Sequence, residues 1–127
     1  MHSADIILAA VAVLMAKHLV ADFMLQTSYQ AANKGRYGHI AGVTHAISHA
    51  LLTPVLFLVL PPSSLGLGVT LVCVEFVWHY HQDWLKEKIT HTLGYTPADT
   101  GFWWALGIDQ FVHAMTYLAM VYVLLRY

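Results

Sequence analysis

Ionisable side chains recur at one interval along this chain: His18 and Asp22, His45 and His49, then Glu75, His79 and Asp83, and finally Asp109 and His113, each four residues from the next in its set. In an α-helix that step rotates a side chain by only about 40°, so each set stacks along one helix face. Imidazoles and carboxylates brought to one place can ligate a metal ion, relay protons or act as general acid and base. With a single cysteine, Cys73, the chain is poorly equipped for an ion that prefers thiolate, whereas its mixed nitrogen and oxygen donors suit zinc, iron or manganese. Nine such groups exceed what one tetrahedral ion takes. They suffice for two ions, or for one with a hydrogen-bonded outer layer. The Glu-x-x-His spacing of ferritin-like di-iron bundles is missing, and the richer histidine content favours zinc or another hydrolytic metal.

The elements that must carry these groups are set by composition. Of 127 residues 58% are apolar and only 10% charged, far from the roughly 25% charged of a soluble domain, so lipid is the expected surrounding. A hydrocarbon core about 30 Å thick takes about 20 apolar residues in helical form. Four stretches fit: 5–26, 40–60, 65–85 and 102–125. The expected fold is therefore all-α, an integral membrane four-helix bundle forming a single transmembrane domain over 1–127, with both termini on the same side. Pro61-Pro62-Ser63-Ser64 makes the second and third spans antiparallel neighbours, and Pro54 predicts a kink in the second. The first span lacks a basic leader and holds Lys17 and Asp22, which reads as a retained helix rather than a signal peptide. Lys34, Arg36, Lys86 and Lys88 lie in the two longer loops, while the other side has only Arg126, which places the long loops in the cytoplasm and the termini outside. A net charge of −1 offers no basic field for nucleic acid. A bundle this small has room to form a homo-oligomer, but no Gly-x-x-x-Gly motif within a span commits it to an interface.

Depth agrees with spacing. Most of the polar sets fall five to ten positions from the cytoplasmic ends, or about 8–15 Å at the helical rise. Because alternate helices run in opposite directions, a common level requires these residues late in spans one and three and early in spans two and four. They are so placed in all four. The outer stretches 6–16, 50–60, 65–74 and 114–125 contain no Asp, Glu, Lys, Arg or His. A through-going ion pathway would continue across the membrane, and this apolar plug opposes one. A lone intramembrane histidine is more often a hydrogen-bonded packing residue, but nine convergent groups exceed what such glue requires.

Roles follow from position. His18, Asp22, His45, His49, His79, Asp109 and His113 are the expected metal ligands, with Glu75 or Asp83 as general base. Gln26 and Lys86 share the polar faces nearer the cytoplasm, and with Lys34 they are the expected substrate contacts at the mouth of the site. Lys17, inside the first span, is expected to snorkel or to pair with a carboxylate. His2, His39, His81 and His91 fall outside the set, with His39 and His91 read as solvated loop residues. Trp84, Phe102, Trp103, Trp104, Tyr122 and Tyr127 read as interfacial belts. A metal site in the inner leaflet suits a hydrolase acting on a lipid or other amphiphile. The alternatives are a di-iron oxidase or desaturase-like enzyme, a non-catalytic metal-binding or ion-relay protein, and bis-histidine haem ligation.

The stretch His18-Leu-Val-Ala-Asp22-Phe23-Met-Leu25-Gln26-Thr27 followed by Asn33-Lys34, together with His45-x-x-x-His49, His79-x-x-x-Asp83-x-x-Lys86 and Asp109-Gln110-x-x-His113, resembles a family of short bacterial and phage membrane proteins, domain of unknown function three-three-zero-seven. The resemblance covers nearly the whole chain. It implies a multi-helix membrane protein, expected in the bacterial inner membrane, and brings no activity with it. Ala21 stands where the family's first motif usually has Gly. A looser similarity to membrane-bound metal-dependent hydrolases rests on short helices bearing His and Asp, and is analogy.

Overall fold

The first apolar run forms α1, Ser3–Leu19, and continues without a break into a π-helical turn, Val20–Leu25. Such turns widen the helix by one residue and recur at functional sites; this one holds Asp22. A short helix, α2, Ser28–Asn33, follows within the expected loop. Its start is fixed by a capping box: the Thr27 hydroxyl accepts from the Gln30 amide at 3.1 Å while the Gln30 side chain accepts from the Thr27 amide at 2.9 Å. Helix α3 spans Ile40–Leu52 and tightens into a 3-10 segment, Thr53–Leu58, where Pro54 cannot donate the next helical hydrogen bond. The kink expected at Pro54 thus takes the form of a change of helix type. Helix α4 covers Leu65–Thr92 and α5 covers Thr100–Arg126. Ser64 caps α4 by accepting from the Leu67 amide at 3.2 Å.

The computed structural model describes residues 3–127, and His2 lies outside them. Among the described residues there is no strand, and the chain is all-α. The helices differ from the four expected spans in number and in length. Among the described residues there are five, α2 being the addition, and α4 runs to Thr92 instead of stopping at Leu85. Nothing between Val69 and Leu93 breaks a helix; the turn comes at Gly94, whose φ of 66° suits glycine. His91, expected in a loop, therefore belongs to the last turn of α4. Among the described residues three stretches are long and apolar enough to cross a membrane: Ser3–Leu25, Ile40–Leu58 and Thr100–Arg126. Helix α4 is long enough, but it carries Glu75, Asp83, Lys86, Glu87 and Lys88 and falls outside that group.

In the packing, α1 lies against α5 and the 3-10 segment, while α4 lies between α3 and α5. The hydrophobic core collects Ala10, Leu14, Leu56, Leu60, Leu71, Tyr117, Met120, Val121 and Leu124, all from the four stretches without ionisable residues. The rest of the burial pattern inverts that of a water-soluble protein. Glu75, Asp83 and four histidines are almost wholly enclosed, while Leu8, Phe23, Leu51, Val77, Trp104 and Phe111 are exposed.

Candidate metal centre

The four-residue spacing does bring the polar sets together, and two carboxylates organise them. Asp22, in the π turn, meets imidazoles from two helices: His18 Nε2 lies 3.0 Å from Oδ2, while His45 Nε2 and His49 Nε2 lie 3.1 and 2.9 Å from Oδ1. Asp83, on α4, has His113 Nε2 3.2 Å from Oδ1, with His45 Nε2 at 3.2 Å and His79 Nε2 at 3.6 Å from Oδ2. His45 is the link between the two carboxylates. The rings form a contiguous stack, with centroids 3.7 Å apart for His49 and His79 and 4.3 Å for His79 and His113. His45, His49, His79 and His113 are each no more than 2% exposed.

Several of these buried nitrogens have no hydrogen-bond partner: both nitrogens of His45, Nδ1 of His49 and Nε2 of His79. His45 Nε2 is close to two carboxylates but aligned for a hydrogen bond with neither, so distance alone overstates its satisfaction. Unpaired buried polar atoms are costly and call for a partner. Two groups could share a metal ion: Asp22, His45, His49 and His79, and His79, Asp83 and His113, the ligand atoms within each lying within 4.8 Å of one another. Imidazole nitrogen and carboxylate oxygen are the donors that zinc takes in proteins. The donor types and the orphaned nitrogens fit a divalent cation.

The remaining expected ligands stand at the edge. His18 Nε2 donates to Gln110 Oε1 at 2.9 Å and faces Asp22, while its Nδ1 lies 2.7 Å from the Tyr117 hydroxyl. Both nitrogens are engaged, and Nε2 lies against the Asp22 carboxylate. Asp109 Oδ1 is 3.5 Å from His113 Nε2, and its backbone carbonyl accepts from the Gln82 amide at 2.8 Å.

Of the two expected bases, Asp83 sits inside a ligand group. Glu75 does not: its carboxylate is held by the Lys17 ammonium and the Thr53 hydroxyl, all three groups buried. Lys17 thus pairs with a carboxylate and does not snorkel; its Nζ also lies 2.8 Å from Thr53 Oγ1 and 5.0 Å from the centre of the Tyr117 ring. The three expected substrate contacts have different partners. Lys34 turns inward, its Nζ 2.9 Å from Asp83 Oδ2. Burial by itself would lower the Lys34 ammonium, but Asp83 outweighs this and holds it above the ordinary lysine range. Lys86 pairs with Glu87 on the wall of a groove, and Gln26 has a buried, unpartnered Oε1 but belongs to neither ligand group. His39 is a helix cap, its Nδ1 accepting from the Ala41 amide at 3.1 Å.

Thr53, Gln82, Gln110 and Tyr117 complete the site beyond the expected set. Thr53 and Tyr117 had a signal, for they stand four residues after His49 and His113 and continue the same stripes. Between α4 and α5 lies a groove of about 500 Å³ whose walls include Trp78, Leu85, Ile108 and Val112, and which reaches Gln82 and Asp109.

Comparison with curated proteins and with solved structures gives no match. The family comparison does: the model described as "Protein of unknown function (DUF3307)" matches residues 10–127, and the chain belongs to that family.

Proposed function

We propose that this chain is a four-span integral membrane protein that holds a divalent metal ion in its His/Asp cluster and uses it to hydrolyse a lipid or other amphiphile. The observation that carries this is the group Asp22, His45, His49 and His79, four buried donors close together with several imidazole nitrogens unsatisfied. Helix α4 counts as the fourth span because its acids Glu75 and Asp83 are buried while Val69, Val74, Val77 and Trp78 face outward. With four spans both termini share a side, and the basic residues assign the long loops to the cytoplasm, in a bacterial inner membrane.

Zinc is the favoured ion for three imidazoles and a carboxylate, with iron or manganese as alternatives. When bound, such an ion lowers the pKa of a coordinated water and polarises the scissile bond. The chain's own residues do the rest. Asp22, His45, His49 and His79 hold the ion, and His18, pinned by Gln110 and Tyr117, keeps Asp22 in place. Asp109 lines the groove and lies 3.5 Å from His113 Nε2, and in this reading it is the carboxylate that accepts a proton from water. The apolar groove between α4 and α5 suits the chain of an amphiphile entering from the bilayer. The bilayer and that substrate are the partners of this reading; no basic surface suits nucleic acid.

Elemental analysis of detergent-purified protein tests it. Zinc bound in the wild type and lost from His45→Ala/His49→Ala is the expected result, with lipid-ester hydrolysis abolished in Asp109→Asn. Wild-type protein that binds no divalent metal on reconstitution would overturn the proposal. A second reading draws on His79, Asp83 and His113, since two histidines and one carboxylate also suit non-haem iron. Iron content with visible absorption would favour the oxidase or desaturase-like alternative.

A further inference from the structure

Lys34 belongs to a loop, yet it is only 6% exposed. It closes α2, and its ammonium lies 2.9 Å from Asp83 Oδ2, an oxygen that also has His45 Nε2 at 3.2 Å and His79 Nε2 at 3.6 Å. Asp83 is the carboxylate of the His79–Asp83–His113 group. An ammonium and a divalent cation repel each other strongly at that range in a buried site, so the two compete for the Asp83 carboxylate.

The backbone beside Lys34 shows that its placement is built in. A Cβ on Gly35 would come within 2.8 Å of Glu87 Cβ on α4, and one on Gly42 within 3.2 Å of the Lys34 carbonyl oxygen. Glycine at both points lets the loop lie directly against α3 and α4, and this close approach carries the lysine stem down to Asp83.

We propose that Lys34 is an internal cation standing in the second metal position: it holds Asp83 and limits the centre to one ion, on Asp22, His45, His49 and His79. His79 is common to both groups and stays with the first ion; when Lys34 is withdrawn, Asp83 and His113 accept a second ion, with Asp109 Oδ1, 3.5 Å from His113 Nε2, as the third donor in place of His79. This rests on the metal reading above, and makes the α2 loop the element that decides whether the centre is mononuclear or binuclear.

The test is the zinc-to-protein ratio of full-length protein in detergent after saturation with zinc and removal of the free ion. The expected ratio is one for the wild type and for Lys34→Arg, two for Lys34→Met, and one again for Lys34→Met/Asp83→Asn. Circular dichroism and gel filtration check the fold; should Lys34→Met not fold, Lys34→Gln replaces it with the same expected ratio of two. A ratio of one in the charge-removing variant, or of two in the wild type, overturns this proposal and leaves the metal reading standing. A ratio of zero throughout overturns both.

Discussion

Each buried charge here is defined by the atom that faces it. Lys17 and Glu75 form an enclosed pair whose attraction offsets the desolvation of both, and removing one partner from such a pair costs about 3–5 kcal/mol. We expect Lys17→Met to lower the unfolding midpoint in detergent sharply, and Lys17→Met/Glu75→Leu to recover much of the loss. Because neither residue belongs to a ligand group, zinc binding should match the wild type in the double variant; its loss there would show that the pair also shapes the centre. Tyr117 acts at one remove, through His18 onto Asp22. Outer partners of this kind are worth about 10–100-fold in metal affinity, so Tyr117→Phe should weaken zinc binding by that factor in a chelator competition while the fold is kept. A stripe of charge was legible at this scale because carboxylates and imidazoles are conspicuous in an apolar helix. Thr53 and Tyr117 continue the stripe, but hydroxyl residues are common in spans and carry no charge to mark them.

At the scale of elements, the changes of helix type lie beside the centre. The π turn carries Asp22, and the 3-10 segment begins at Thr53, where the hydroxyl lies 3.1 Å from the His49 carbonyl oxygen. Pro54 announces the second change, since it has no N–H to give. No residue announces the first: Val20–Leu25 contains neither Pro nor Gly. The α2 loop rests on Gly35, where an added methyl meets Glu87. Overpacking of this kind typically costs about 1–3 kcal/mol, and Gly35→Ala should lose that much in denaturant unfolding; an unchanged midpoint would show that the loop moves aside freely. Loop lysines read as topology signals, so the inward turn of Lys34 could not be read from its position in the chain.

For the whole molecule, apolar residues outside and ionisable residues inside make one consistent design for lipid surroundings. Single cysteines placed in a Cys73→Ser background test the orientation: probes at Asn33 and Thr96 should label from the cytoplasmic side and a probe at Ser63 from the other. Labelling of Asn33 and Thr96 from opposite sides would remove α4 as a span. The sequence by itself determined the four long helical stretches and their polar faces, though not α2 or the last turns of α4, since these follow from local rules: about 20 apolar residues to cross a bilayer and four-residue spacing to keep one face. It also placed the apolar plug opposite the polar level. Only the tertiary structure decided which charge meets which, sending Lys17 to Glu75, Lys34 to Asp83 and His45 between Asp22 and Asp83. The reason is reach: a side chain finds its partner across a gap set by which helices adjoin and how closely their backbones pack, and spacing along one helix carries no record of that distance.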